Sequence, residues 1–338
     1  MKPQVIVAPH FRQMAEIFDK PTLSRLHDVA DVVWARDEPM PQLEFEAALQ
    51  TATAVVFGTW HYGSAAVPGA GDSLRFIFEV AGSHRHRALN YEACFERGIS
   101  VGGCAPAFGP AVAEMALALA LAAGRLIPSG DAAFRVGEEE WLHDGNRGAV
   151  TMWNKTIGLI GAGGLSRSLQ QLTAPFSPRY LAFDPWQDQS VLQERGLQPV
   201  DLPELFTESD FIFVLAVPTP ANRHMISRQL MELLGSHQTL VVISRAHLVD
   251  FDSMTELLAA GRFRAAIDVY PAEPTDPDDP LRQLPNVVLS AHRAGAIPEA
   301  LHKIGRMVVD DLAELLRGGT DLRMQYADSQ MISRLHGS

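Results

Sequence analysis

Short apolar, β-branched runs alternate with helical patterns along most of this chain, and this alternation is the feature that most limits its fold. From Thr156 onward the runs are TIGLIGAGG, RYLAFDP, DFIFVLAVP, TLVVISR, RAAIDVYP and NVVLSAH. Most of them are separated by a helical pattern, which is how parallel strands are connected. The series predicts one doubly wound α/β sheet. A shorter series of the same kind, QVIVAP, AVVFGT, LRFIFEVAG and ISVGG, precedes it.

Length and composition predict two soluble domains. A chain of 338 residues can form two cores of ordinary size, and 47% hydrophobic with 20% charged residues is typical of globular proteins. The formal net charge of −12 disfavours nucleic acid or an anionic membrane as the main partner. Cys94 and Cys104 belong to no metal-binding pattern, and two cysteines alone predict a reducing, cytoplasmic location. No signal peptide is evident, and the most apolar helix, residues 111–127, is predicted to be a buried interface helix.

The stretch TIGLIGAGGLSRSL predicts a strand, a tight glycine turn and the start of a helix. Gly161 permits the turn, and Gly163 lets backbone amides approach a pyrophosphate at the helix N-terminus. Ser166 replaces the third glycine of the G-x-G-x-x-G pattern and is still small enough for close packing. The next strand ends in Asp184, whose carboxylate can accept hydrogen bonds from the adenosine ribose and would repel a 2′-phosphate. This combination predicts an NAD site.

Three further polar residues follow strands of the same series. Arg245 follows TLVVIS, Glu273 follows AAIDVYPA, and His292 follows NVVLSA. Each of them alone is an ordinary loop residue. Ligands of open α/β sheets bind beyond the carboxyl ends of the strands, so these side chains can converge on one crevice beside the predicted dinucleotide turn.

This arrangement resembles the D-isomer-specific 2-hydroxyacid dehydrogenase family, most strongly from Gly158 to Gly295. The segment VISRAHLVD is similar to the one that carries the family's catalytic arginine, here Arg245, although Ala246 and His247 stand where glycines are usual. The segment AAIDVYPAEP is similar to the one with an aspartate near the nicotinamide and a glutamate that partners the histidine. LSAHRAG is similar to the segment of the catalytic histidine. The resemblance therefore implies that Asp268 lies near the cofactor, and that Glu273 assists His292.

The resemblance also implies the domain organisation. A Rossmann NAD-binding domain, residues 104–294, is expected to be inserted into a flavodoxin-like substrate domain formed by residues 1–103 and 295–338. A homodimer paired through the cofactor domains is expected, without a metal and without nucleic-acid or membrane partners. The residues expected to contact the cofactor are Gly161, Gly163, Gly164, Leu165, Asp184, Val217, Pro218, Asn222, Ser244 and Asp268.

The implied reaction is the NAD-dependent interconversion of a D-2-hydroxy acid and its 2-keto acid. His292 as imidazolium can donate a proton to the carbonyl oxygen, and as neutral imidazole it can remove one from the alcohol. Glu273 would favour the charged ring and fix its orientation. Arg245 offers a planar fork of donors to the substrate carboxylate and polarises the carbonyl. A catalytically silent NAD-binding sensor or corepressor is the alternative from a different class.

The first domain departs from the family where a glycine-rich loop normally binds the substrate carboxylate. In EVAGSHRHRALNYEA only Gly82 is retained clearly, and Ser83, His84 and the following Arg-His-Arg replace the rest. Gly82, Ser83 and His84 are the expected substrate contacts. The loop is either a solvated basic segment or subunit contact, or an enlarged anion site for a phosphorylated or dicarboxylic hydroxy acid. The aromatic residues of GTWHYGS either pack beneath their loop or line the pocket.

Overall fold

The computed structural model describes residues 2–82, 84 and 86–337. The chain divides into two compact units, Met1–Phe108 with Ala296–Ser338, and Gly109–Gly295. Each unit is built on one largely parallel sheet with helices, so the predicted α/β fold class is confirmed.

The strands in chain order are β1 Gln4–Ala8, β2 Asp31–Trp34, β3 Ala54–Phe57, β4 Phe76–Glu79, β5 Ser100–Gly103, β6 Thr156–Ile160, β7 Arg179–Phe183, β8 Gln198–Pro199, β9 Phe211–Val214, β10 Thr239–Val242, β11 Arg264–Ile267, β12 Val287–Leu289 and β13 Gln325–Tyr326. The α-helices are α1 Met14–Ile17, α2 Lys20–Val29, α3 Gln42–Leu49, α4 Tyr91–Glu96, α5 Ala105–Gly124, α6 Ile127–Val136, α7 Gly164–Thr173, α8 Gln189–Glu194, α9 Leu202–Glu208, α10 Arg228–Met231, α11 Phe251–Ala259, α12 Pro298–Leu316 and α13 Ser329–His336.

The first unit contains a sheet in the order β2-β1-β3-β4-β5-β13. The first five strands are parallel and follow the flavodoxin-like order 2-1-3-4-5, whereas β13 pairs antiparallel with β5. Strands β3 and β4 are buried along their whole length, which explains why their sequences are continuously apolar apart from Glu79. The C-terminal strand β13 thus forms one edge of this sheet.

The second unit contains a parallel sheet in the order β8-β7-β6-β9-β10-β11-β12. Its first six positions reproduce the Rossmann order 3-2-1-4-5-6, with the switch point between β6 and β9. The six predicted runs correspond to β6, β7 and β9 to β12. The sequence did not predict β2, β8 or β13, which are short strands: β8 and β13 have two residues each, and the apolar run of β2 is limited to Val32, Val33 and Trp34.

Helix α5 begins six residues earlier than predicted, and it ends at Gly124 instead of Ile127. Leu126 adopts a left-handed backbone, and α6 then begins with Pro128 in its first turn. Along α5, alanines at Ala113, Ala116 and Ala120 pack without exposed surface in the core beneath the second sheet. Among the described helices, α5 alone is long and apolar enough to span a membrane by composition, a property that it shares with core helices of soluble proteins.

Candidate active site

Three adjacent parallel strands of the second unit bring the predicted catalytic residues to one edge of the sheet. Strand β11 lies between β10 and β12, and all three point in the same direction. Arg245, Glu273 and His292 each lie in the loop that follows one of these strands. Their convergence is therefore a consequence of strand order, as Rossmann topology requires.

The side chains of His292 and Glu273 are in contact at this edge of the sheet. The imidazole Nδ1 lies 2.6 Å from the Oε2 atom of Glu273, and the two side chains are 43% and 37% exposed. The backbone of His292 is left-handed, with a φ of +50°, and its N–H donates to the carbonyl of Asp268 at 2.7 Å. Because Nδ1 is engaged by the carboxylate, Nε2 is the ring nitrogen left to exchange a proton with a substrate.

Glu273 is itself held in place by the loop after β11. Its Oε1 atom accepts the backbone N–H of Tyr270 at 3.0 Å, and the hydroxyl of Tyr270 donates to the carbonyl of Ser290 at 2.9 Å. Burial acts to raise the pKa of Glu273, but hydrogen bonds from His292 and Tyr270, together with the charges of His292 and Arg245, lower it overall. The carboxylate is therefore ionised at neutral pH.

Arg245 is exposed at the end of the loop after β10, and one of its terminal nitrogens donates to the carbonyl of Ser244 at 2.7 Å. Desolvation lowers its pKa and the charge of Glu273 opposes this, but a guanidinium remains charged at neutral pH. His247 occupies a position where the family has glycine, and its Nε2 donates to the carbonyl of Thr219 at 2.8 Å. The substitution thus ties this loop to the loop after β9.

Asp268, which the sequence predicts to lie near the cofactor, binds the loop that carries His292. Its side chain has no exposed surface, and its two carboxylate oxygens accept the backbone N–H groups of Arg293 and Ala294 at 2.9 and 3.1 Å. Its own carbonyl receives the N–H of His292. Asp268 therefore fixes the loop that carries the histidine. Sequence reasoning missed this role because the side-chain direction at the end of β11 is set by packing.

The glycine turn after β6 fits a dinucleotide. Gly161 has a φ of +95°, and a Cβ there would lie 2.6 Å from the backbone nitrogen of Ala216, so only glycine is accommodated. A Cβ on Gly163 or Gly164 would meet nothing within 4 Å, which leaves the space above the turn open. Helix α7 begins at Gly164 and continues through Leu165, so its N-terminal amides border this open space.

Asp184 lies directly after β7, as predicted, and is partly buried. Its Oδ2 accepts the N–H of Ala162 in the glycine turn at 2.7 Å, and its Oδ1 accepts the N–H of Trp186 at 2.9 Å. Oδ2 also accepts a long hydrogen bond from the side-chain amide of Gln187 at 3.5 Å, so Oδ1 is the oxygen that keeps a second lone pair for a ribose hydroxyl. The carboxylate thus couples the end of β7 to the turn.

The structure adds Arg195, a residue that sequence reasoning did not identify, to the cofactor turn. Its guanidinium donates to the carbonyl of Ala162, to the Oγ of Ser166 at 3.1 Å and to the Oε1 of Gln170 at 2.7 Å. Ser166 is fully buried, so the serine in place of the third glycine is a hydrogen-bond acceptor for this arginine. No sequence signal identifies Arg195, because its contacts lie 25 to 33 residues away.

The remaining predicted cofactor residues lie in the loops after β9 and β10. Val217 and Pro218 lead into a turn closed by Asn222, whose amide donates to the carbonyl of Val217 at 2.9 Å and whose Oδ1 accepts the N–H of Thr219 at 2.8 Å. The hydroxyl of Ser244 is buried and has no hydrogen-bond partner within the described part of the chain. An unsatisfied buried hydroxyl at this position is consistent with a polar ligand.

The predicted substrate residues lie in the other unit, in the loop after β4. Ser83 and Arg85 are outside the described residues. The placement of His84 does not support direct contact with a substrate, because its side chain is fully buried and its Nε2 donates to the carbonyl of Gln325 at 2.8 Å. The carbonyl of Gly82 accepts the Sγ–H of Cys104 at 3.7 Å.

The aromatic residues of the loop after β3 pack in the core of the first unit. Trp60 and Tyr62 are each 3% exposed, and the ring of Tyr62 stacks on Phe45 with centroids 3.5 Å apart. This agrees with the interpretation that they support their loop. Across residues 2–82, 84 and 86–337, no group of three or more His, Cys, Asp or Glu side chains is arranged to hold a metal ion.

Comparison with known proteins identifies the second unit. The model of the D-isomer specific 2-hydroxyacid dehydrogenase, NAD binding domain, matches residues 117–294. This range contains the glycine turn, Asp184 and the loops that carry Arg245, Glu273 and His292. The match confirms the resemblance seen in the sequence, and with it NAD as the cofactor.

Individual relatives extend the comparison to the whole chain. A D-3-phosphoglycerate dehydrogenase of Methanocaldococcus jannaschii is 32% identical over 232 residues, 68% of this chain and 44% of that protein. A glyoxylate reductase of Korarchaeum cryptofilum is 27% identical over 94% of both chains. A crystal structure of a phosphoglycerate oxidoreductase from Rhizobium etli superposes with a TM-score of 0.87 at 32% identity, covering 98% of this chain and 100% of that one. The chain spans about half the length of the curated phosphoglycerate dehydrogenases that it matches.

Proposed function

The chain belongs to the D-isomer-specific 2-hydroxyacid dehydrogenase family, and we propose that it interconverts a D-2-hydroxy acid and its 2-keto acid with NAD. The observation that carries this proposal is the 2.6 Å contact between His292 and Glu273, within reach of the charge of Arg245, at the sheet edge that also bears the glycine turn. An acid–base residue, a group that orients it and a carboxylate-binding cation are the side chains that reduction of a 2-keto acid needs.

The cofactor is assigned to the inserted domain, residues 104–294. The turn of Gly161, Gly163 and Gly164 with the first amides of α7 would bind the pyrophosphate, and Asp184 would bind the adenosine ribose. Val217, Pro218, Asn222 and Ser244 would border the rest of the dinucleotide. When bound, NADH supplies the hydride, and the protein supplies position and electrostatics.

His292 moves the proton of the reaction. In reduction, the imidazolium donates the proton on Nε2 to the substrate carbonyl oxygen, while Glu273 keeps its hydrogen bond to Nδ1. The carboxylate favours the charged ring and fixes its plane, so the proton is presented in one direction. In oxidation the neutral imidazole accepts the same proton from the alcohol.

Arg245 binds the substrate carboxylate and polarises the carbonyl. Its planar guanidinium can form two parallel hydrogen bonds to a carboxylate, and it carries the charge that stabilises a developing alkoxide. The bond to Ser244 uses one of its five N–H groups and leaves the others available.

The experiment that tests this function is NADH consumption with a panel of 2-keto acids that includes glyoxylate and hydroxypyruvate. We expect turnover with at least one acid, and a loss of about 10²–10⁴-fold in kcat for His292→Ala with NADH affinity unchanged. A protein that binds NADH but turns over no acid would support the alternative, a catalytically silent sensor or corepressor.

A phosphorylated substrate is a second candidate, favoured by the names of the relatives, several of which are phosphoglycerate dehydrogenases. If the loop after β4 binds a second anionic group, Arg85→Ala and Arg87→Ala will raise KM for phosphorylated substrates much more than KM for glyoxylate. Arg87 is exposed and donates one N–H to the carbonyl of His336, so it keeps further donors for an anion. Equal effects on both substrates would exclude this candidate.

We propose that the protein is a cytoplasmic homodimer. The support is a group of large apolar side chains in and after α6, each more than half exposed in the single chain: Ile127, Phe134, Val136, Trp141 and Leu142. Light scattering of a Trp141→Glu, Leu142→Glu variant should show a monomer. Leu43→Glu, which changes an equally exposed leucine in the other unit, should leave the dimer intact.

A further inference from the structure

A buried polar cluster that takes no part in the proposed proton transfer lies at the end of β4. Glu79, the last residue of this strand, has a side chain only 2% exposed. Its Oε1 lies 3.3 Å from the Nε2 of His86, and its Oε2 lies 3.9 Å from the Nδ1 of His84, whose side chain is 0% exposed. Glu79 Oε2 and His84 Nδ1 have no hydrogen-bond partner among the described residues, so the 3.3 Å contact with His86 is the closer contact of this carboxylate.

The hydrogen bonds assign a different role to each histidine. A carbonyl can only accept, so the contact of His84 Nε2 with the carbonyl of Gln325 places the ring proton on Nε2. Burial lowers the pKa of His84, although the charge of Glu79 acts in the opposite direction, so this ring is neutral. His84 is therefore a link to strand β13, and His86 is the closer of the two imidazoles to the Glu79 carboxylate.

The C-terminal helix α13 completes the cluster. The Nε2 of His336, its last residue, donates to the backbone carbonyl of His84 at 3.0 Å. Arg87 donates in turn to the carbonyl of His336 at 2.9 Å. On the neighbouring strand, a Cβ on Gly103 would lie 2.9 Å from His84 Nε2, so glycine makes room for this ring. His84 and Arg87 are thus bonded to the C-terminal elements β13 and α13.

We propose that His84 and His336 are positioning residues that hold the loop after β4 in the conformation that binds the substrate carboxylate. This inference rests on the proposed function, together with the expectation from the sequence that this loop contacts the substrate. It gives the C-terminal strand and helix a role in substrate affinity, although they lie about 240 residues further along the chain. If these residues only stabilised the fold, their variants would have a lower melting temperature, but hydrogen exchange in the loop and KM would stay the same.

The test uses His336→Ala, because His336 is partly exposed and ends a helix, so its removal leaves the core intact. The matched control is His302→Ala, which removes a similar bond in the same unit, from Nε2 to the carbonyl of Ala15 at 3.2 Å. Two properties are measured: amide hydrogen exchange of a peptide covering residues 80–89, and steady-state kinetics with glyoxylate. NADH affinity is measured in parallel.

We expect His336→Ala to speed exchange in residues 80–89 about tenfold and to raise KM about fivefold. The values of kcat and NADH affinity should stay those of the unmodified protein, and His302→Ala should change none of these properties. His84→Gln, which keeps an N–H for the carbonyl of Gln325, should retain more protection of the peptide than His84→Ala.

Unchanged exchange in His336→Ala would overturn the proposal, and so would faster exchange with an unchanged KM. If the unmodified protein reduces no 2-keto acid, the proposed function fails. The exchange comparison needs no substrate, so it still decides whether the cluster holds the loop.

Discussion

Glu273→Gln tests the central pair of the candidate active site. Glutamine keeps the size of the side chain but removes the charge, and it offers one oxygen where the carboxylate offers two. In the structure both oxygens are used, one by His292 Nδ1 and one by the N–H of Tyr270. The variant must therefore lose one hydrogen bond and the ion pair, and these losses affect the activity differently.

The expected magnitudes follow from the geometry. Losing one acceptor costs about 1–2 kcal/mol, which lowers kcat/KM for keto-acid reduction about 5–30-fold at every pH. The His292–Glu273 contact is short, at 2.6 Å, but both side chains are more than a third exposed, so solvent screens the charges. Losing the Glu273 charge therefore destabilises the imidazolium form by only about 1 kcal/mol, which is a factor of about five.

The second effect depends on pH, because reduction requires a protonated imidazole. Removing the Glu273 charge takes away an interaction that favours this form, so the loss of activity grows as protons become scarce. The ratio of kcat/KM between the unmodified protein and Glu273→Gln should rise about fivefold between about pH 5.5 and about pH 9. The pKa of Glu273 is lowered from 4.5, so its carboxylate stays ionised over this range, and the stability that it contributes is lost only as pH falls below about 4.5 through its folded-state pKa.

The assay is NADH consumption with the best 2-keto acid across this pH range. The control is Asp278→Asn, which removes an exposed carboxylate from the same loop and should leave the ratio near one at every pH. A ratio for Glu273→Gln that does not change with pH would refute the assignment of Glu273 as the residue that favours the imidazolium. A loss explained by weaker NADH binding would refute it as well.

Three further variants test the cofactor site and the loop that carries His292. Asp184→Asn should weaken NADH binding about 5–30-fold and reduce discrimination against NADPH, measured by titrating both cofactors. An equal loss of affinity for NADH and NADPH would contradict the contact of Asp184 with the ribose. Arg195→Ala removes one hydrogen bond to the glycine turn, at Ala162, and two to side chains of helix α7, and it should weaken NADH binding about tenfold with little change in kcat. Arg179→Ala, at the start of β7, is its control. Asp268→Ala leaves two buried N–H groups unsatisfied and should lower the free energy of unfolding by about 2–3 kcal/mol in urea denaturation, with a loss of kcat. A variant as stable and active as the unmodified protein would contradict this role.

Much of the candidate site could be predicted because its signals are local in the sequence. The glycine turn, Asp184 and the three polar residues after β10, β11 and β12 lie at or near strand ends. In a parallel sheet, all strands end at the same edge, so a linear order of motifs becomes a spatial cluster. The convergence of Glu273 and His292 required no knowledge of packing.

The sequence did not indicate the directions of individual polar side chains. Asp268 follows its strand as expected, but its carboxylate points into the protein toward the amides of Arg293 and Ala294. His84 lies in the predicted loop, but its ring is buried against Gln325, 241 residues away. Hydrophobic periodicity shows which face of an element is apolar, and it does not show which way an isolated polar residue turns in a loop.

The sequence by itself predicted the two-sheet α/β architecture, the dinucleotide turn and His292 as the candidate acid–base residue, because these depend on strand periodicity, glycine conformation and chemistry at strand ends. Only the tertiary structure showed that Arg195 donates to the turn at Ala162, that Asp268 accepts the amides of the histidine loop, and that the C-terminal helix donates to the loop after β4 at His84. These contacts join segments far apart in the chain. They form only after hydrophobic burial has assembled the sheets, so no local pattern encodes them.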